Sequence, residues 1–199
     1  MSEERVKVWG VGVRAFHWLL VGSFLTAYAT GDGDLGAGET HVFAGYAIAA
    51  LLAARIAMGF VGGRFARFSD ARIAPGAVLG YLRDLAAGRA RRHLGHSPAG
   101  WAMTFALLVA LLLATVSGLL SLAETAGSGP LAGTAPVVGA GAEGRWTELH
   151  GTASNAVVAL ALVHLLGVFG AVAAHGTEVL GAMITGEKAA DKEREADPH

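Results

Sequence analysis

Four apolar runs punctuate this chain, at roughly 9–30, 41–62, 99–122 and 146–174. Each reaches the ~20 residues a helix needs to cross about 30 Å of hydrocarbon, so the pattern predicts four membrane-spanning helices. Between the second and third runs, Pro75-Gly76 leads into AVLGYLRDL, whose apolar positions recur at helical spacing. That predicts a short amphipathic helix at about 75–88 lying on a membrane surface. Residues 126–144 are rich in Gly, Ala and Pro without helical patterning and read as an irregular loop. After His175, EVLGAMITGEK is expected along an interface, and 187–199 as a charged, disordered tail. No internal repeat or second domain is visible. Residues 1–186 read as one membrane domain, an all-α integral membrane four-helix bundle.

Charge then orients the bundle. Thirteen of the fifteen Lys and Arg residues fall before or early in the first run (Arg5, Lys7, Arg14), in the middle loop (residues 64–92) or in the tail (Lys188, Lys192, Arg194). The other two connections hold Asp32, Asp34, Glu39, Glu124 and Glu143 against Arg145 alone. By the positive-inside rule both termini and the middle loop are cytoplasmic. A rival reading makes the first run a secretory signal cleaved near Ala27-Tyr28-Ala29. The mixed-charge lead with Glu3 and Glu4 speaks against it, and cleavage would discard a histidine used below.

Composition agrees: 53% of the residues are hydrophobic and the mean hydropathy is +0.50. The absence of cysteine excludes disulfides, thiolate-ligated iron-sulfur clusters, thiolate haem ligation and covalent c-type haem.

Of eight histidines, four lie within apolar runs: His17, His41, His150 and His164. Ionisable side chains inside a spanning helix are expensive and mark functional positions. His150 and His164 stand fourteen residues apart, about 21 Å along one helix, and leave it on nearly the same face. With the topology above, His17 and His164 share an inner depth, and His41 and His150 an outer one. Facing imidazoles can supply both axial ligands of a haem, so two pairs imply two haems stacked across the membrane. The bland reading, histidines that merely hydrogen-bond neighbouring helices, suits one such residue better than four matched in depth. A transition-metal site is a weaker rival, because the spans offer no cysteine and only Glu148 near the outer end.

Arg55, deep in the second run and fourteen residues from His41, and Arg14, just before His17, are candidate partners of haem propionates. Snorkelling to headgroups is the alternative, above all for Arg14. Gly22, Gly45, Gly118, Gly151 and Gly167 could leave room for a flat macrocycle or serve close helix packing. His93 and His96 in RRHLGHSPAG read as an ordered turn in which Ser97-Pro98 starts the third spanning helix. His175 and His199 read as interfacial and disordered.

Several motifs together, RAFHW, HVFAGY, RIAMGFVGGRFARF, RHLGHSPAG and the last pair of histidines, resemble the prokaryotic cytochrome b561 family over about residues 9–186. That family includes relatives serving as b-type subunits of nickel-iron hydrogenases. The resemblance implies a multi-pass protein of the bacterial inner membrane with two non-covalent haem b groups. It further implies electron transfer between a quinone pool and an outer-side partner such as a periplasmic c-type cytochrome or redox-enzyme subunit, with no nucleic-acid partner. His17, His41, His150 and His164 match the family's ligand positions. Ser97 stands where the family usually has Asn.

The expected function is therefore transmembrane electron transfer between quinol and an outer partner. Rivals are a haem-bearing anchor subunit of a larger redox enzyme, a superoxide:quinone oxidoreductase, and a transporter using the histidines as proton relays.

Overall fold

A computed structural model describes residues 5–31, 37–134 and 144–190. Strand β1 (Arg5–Lys7) leads into α1 (Val11–Ala29), α2 (Ala37–Val61), α3 (Pro75–Ala86), α4 (Pro98–Ala126), α5 (Arg145–His175), α6 (Glu178–Thr185) and strand β2 (Glu187–Ala189). Single 3-10 turns occur at Arg64–Ala66, Phe68–Asp70 and Ala132–Thr134. The helices follow the four apolar runs and the amphipathic segment. Two ends shift by four residues: α4 runs on to Ala126, and α2 begins at Ala37, so His41 sits in its second turn and does not open the helix.

Three helices are long and apolar enough to cross a membrane: α2 from Gly38, α4 and α5. α1 has 19 residues, about 28 Å of helix. It carries Arg14 and His17 in its first two turns, which lower its apolar content, and it is not among the three. Only 6% of the most apolar window of α5 is buried, and Leu162, Val163, Leu166 and Phe169 are exposed, as lipid-facing side chains are.

The chain forms two compact units, one of residues 1–17, 55–102 and 165–199, the other of 18–54 and 103–164. In the second unit all four long helices share one core. Ile48 and Leu52 of α2, Ala110, Leu111 and Ala114 of α4, and Ala153 and Val157 of α5 pack with Leu20, Phe24 and Ala27 of α1. The small residues let backbones approach closely, which packing in lipid requires. Ser117, 1% exposed, turns its hydroxyl back to the carbonyls of Leu113 (2.6 Å) and Ala114 (3.1 Å) and so buries no unpaired donor.

The first unit contains, among the described residues, every Lys and Arg except Arg145. Its core is Val8, Trp9 and Ala182, with Val13, Phe65, Leu94 and Met183 around it. α6 ends at Gly186, whose φ of 86° is the left-handed conformation that closes a helix. The Gly186 carbonyl then accepts from the amides of Val8 (2.8 Å) and Trp9 (3.0 Å). Beyond it β2 pairs antiparallel with β1, Arg5 opposite Ala189 and Lys7 opposite Glu187. The expectation of a disordered tail from 187 is thus corrected over its first residues: Lys188 and Ala189 are both 8% exposed. Pairing with β1 supplies the backbone partners that tail composition alone does not announce. The tail from 191, with His199, and the acidic Asp32, Asp34 and Glu143 lie outside the described residues.

Candidate haem site

The second unit brings His41 and His150 together, with ring centres 5.8 Å apart and planes at 87°. Each ring is oriented by a backbone carbonyl: Nδ1–H of His41 donates to Ala27 (2.8 Å), and Nδ1–H of His150 donates to Ala114 (2.8 Å). A carbonyl can only accept, so each ring carries a proton on Nδ1, and in the neutral ring this leaves the Nε2 lone pair free, as a metal-bound imidazole requires. Two metal–nitrogen bonds of about 2 Å, with each ring centre about 1 Å farther on, would separate the centres by about 6 Å. His41 and His150 are thus placed close enough together that they would hold one haem iron between them, were the group bound.

The surroundings fit as well. Gly118 lies under the His150 ring, where a Cβ would come within 2.9 Å of Cε1 and Nδ1. A cavity of ≈ 200 Å³ opens beside both imidazoles, bounded by Gly45, Tyr46, Gly118, Leu122 and Thr125 among others. A Cβ on Gly45, Gly22 or Gly151 would meet nothing within 4 Å, so these glycines leave open space. Among the described residues no group of three or more His, Asp or Glu gathers as a metal site.

His17 lies half-buried on α1 in the first unit, and His164 half-buried on α5 in the second. Arg55 is 4% exposed. Its Nη1 donates to the Ala66 carbonyl (3.3 Å) and its guanidinium lies 4.8 Å from the centre of the Phe68 ring. The RIAMGFVGGRFARF motif thereby acquires a local reason: after α2 the glycines and 3-10 turns fold the chain back, and Phe68 covers Gly59, where a Cβ would come within 2.1 Å of the ring. The Arg14 guanidinium donates to the Ile184 carbonyl and so ties α1 to α6 within the first unit.

The ordered-turn reading of the middle motif holds. Ser97 Oγ accepts from the Gly100 amide (3.1 Å) and caps α4, with Pro98 in the first helical position. His96 sits between Trp9 (4.7 Å) and Trp101 (4.5 Å), and His93 lies 5.5 Å from Tyr81 while donating to the Arg91 carbonyl. His175 ends α5.

The orienting carbonyls of Ala27 and Ala114 and the hydroxyl of Ser117 were not foreseen from the sequence. A backbone oxygen carries no residue-type signal. The faint hint was Ser117, one of several hydroxyl side chains in the mainly apolar α4.

A family model described as prokaryotic cytochrome b561 matches residues 8–186, from the core residue Val8 to the Gly186 that closes α6. No curated protein and no solved structure matches the chain at a significant level. With the apolar spans and the paired imidazoles, that match decides the family: the chain belongs to the prokaryotic cytochrome b561 family and is a bacterial membrane protein of electron transfer that binds haem b.

Proposed function

We propose that this protein carries electrons across the bacterial inner membrane between the quinone pool and an outer-side partner such as a periplasmic c-type cytochrome. Two haems serve as the relay, an outer one held by His41 and His150 and an inner one held by His17 and His164. Both termini and the middle loop lie on the cytoplasmic side, a topology supported by the gathering of basic residues in the first unit.

The observation that carries this reading is the His41–His150 pair with both Nδ1 protons committed to backbone carbonyls. When bound, haem supplies one-electron chemistry, and ligation by two histidines leaves no open iron position for a substrate. What the chain contributes is position and environment. α5 presents two imidazoles fourteen residues apart, so its length sets the spacing of the relay. The four long helices share an apolar core that includes Ala114, whose carbonyl orients His150. Arg14 and Arg55 supply guanidinium charge for propionates on the inner side, with donors beyond those engaged by Ile184 and Ala66.

Purified protein tests this directly. Reduced-minus-oxidised spectra with a haem determination should give a b-type band and about two haems per chain. Replacing His41 or His150 should remove one haem, and replacing His17 or His164 the other. A folded but colourless protein would overturn the reading.

A further inference from the structure

Helix α3 presents two apolar stripes where a short helix at a protein surface in water keeps one. Val78, Tyr81 and Leu85 are half-buried on the first: the Tyr81 ring lies 5.5 Å from His93, and Leu85 Cδ2 lies 3.8 Å from where a Cβ on Gly170 would stand. That stripe docks α3 near the end of α5, within the first unit. The second stripe, Pro75, Leu79, Leu82 and Ala86, runs along the neighbouring face at helical spacing and is exposed throughout, Leu79 at 55% and Leu82 at 45%. We infer that this stripe lies in the bilayer surface beside the first unit and that the arginines at its edge bind an anionic phospholipid headgroup.

Charge selects the lipid. Residues 64–92 hold seven arginines against two acids, Asp70 and Asp84. Four of the seven are engaged: Arg64 lies 5.6 Å from the Phe65 ring centre, Arg67 donates to the Gly62 carbonyl (2.7 Å), Arg89 pairs with Asp84 (3.9 Å) and Arg92 pairs with Glu178. The side chains of Arg72, Arg83 and Arg91 are exposed and make no hydrogen bond or ion pair with the described residues. Arg83 stands one turn beyond Leu79, at the edge of the exposed stripe, and Arg72 stands next to the exposed Ile73 just before the helix. A helix with leucines on one face and arginines at its edge settles at the headgroup level, where guanidinium forks meet phosphate oxygens. An acidic protein surface is the competing occupant. Continuity with a lipid-facing helix favours lipid: Phe169, next to Gly170, is exposed on α5, which is long and apolar enough to span the bilayer.

The chain has no cysteine, so Leu79→Cys carries a single nitroxide label. In nanodiscs of phosphatidylcholine and phosphatidylglycerol, that label on the haem-loaded protein should collide more often with oxygen than with a water-soluble nickel chelate. Spin-labelled phosphatidylglycerol should associate with wild type at least about fivefold more strongly than spin-labelled phosphatidylcholine, the contribution of one arginine near an anionic surface. Arg72→Gln, Arg83→Gln and Arg91→Gln combined should remove most of this preference, with haem content and spectra unchanged. A label at Leu79 open to the nickel chelate would place the stripe in water and overturn the inference, leaving the face to a protein partner. A wild type without the preference, or a triple variant that keeps it, would overturn the headgroup site. None of these outcomes touches the electron-transfer reading, which rests on the histidines.

Discussion

The Nδ1–H of His150 and the hydroxyl of Ser117 donate to one oxygen, the carbonyl of Ala114, at 2.8 and 3.1 Å. A carbonyl shared in this way holds each donor less tightly than it would hold one alone. Ser117→Ala should therefore strengthen the His150 bond, make its imidazole a more electron-rich ligand and lower the potential of one haem only. The shift should be on the order of tens of millivolts, because a net hydrogen bond is worth about 1 kcal/mol. Potentiometric titration reads it; two waves moving together, or neither, would contradict the shared-acceptor account.

Gly118 and Gly45 border the same cavity but differ in the space behind them. A methyl at Gly118 would press on His150, whereas a methyl at Gly45 meets nothing. Gly118→Ala should shift the imidazole and distort or empty the haem site proposed at His41 and His150, seen as a changed low-spin resonance or, if two haems are bound as proposed, a loss of about half the haem. Gly45→Ala should be milder.

Gly59 admits the Phe68 ring that lies beneath Arg55. Gly59→Ala forces that ring away and should cost about 1–3 kcal/mol, a drop in Tm of roughly 2–4 °C per kcal/mol. Thermal unfolding of the haem-loaded protein checks it, and an unchanged Tm would mean that Phe68 is not held there.

Gly186 carries both a positive φ and a near contact, since a Cβ would lie 2.6 Å from the Trp9 carbonyl oxygen. Gly186→Ala should loosen the pairing of β1 with β2, and limited trypsin digestion should then cut after Arg5 and Lys7 sooner than in wild type.

Lys188 is buried against the His93 carbonyl (3.2 Å). Burial pushes its pKa below the ordinary lysine value, Arg92 pushes it the same way, and Glu178 opposes both. Between that lowered value and about 10.4 the unfolded chain binds one proton more than the folded one, so stability rises with pH across this window. Below the window Lys188 is charged in both states and the cost of burying the charge is complete. Lys188→Met should remove this rise from a plot of Tm against pH.

The histidines illustrate how far the sequence could be read. Depth along a spanning helix is a matter of counting residues, so His41 and His150 could be matched across two helices before any contact was known. What holds their rings could not be counted. The acceptors are backbone oxygens 14 and 36 residues away, exposed to the imidazoles only because the helices pack as they do. Arg55 is similar: its burial was legible, whereas Ala66 and Phe68 became its partners through a reversal of the chain after α2.

By itself the sequence determined where helices form, which connections are basic and how far along its helix each histidine of the apolar runs stands. Those properties are local sums of apolar length and charge set against a bilayer of fixed thickness. Tertiary structure alone decided the tautomers of the histidine pair, the crowding at Gly118, and the joining of Arg5–Lys7 to Glu187–Ala189. These depend on contacts between distant segments, where every buried donor must find its acceptor once water is gone.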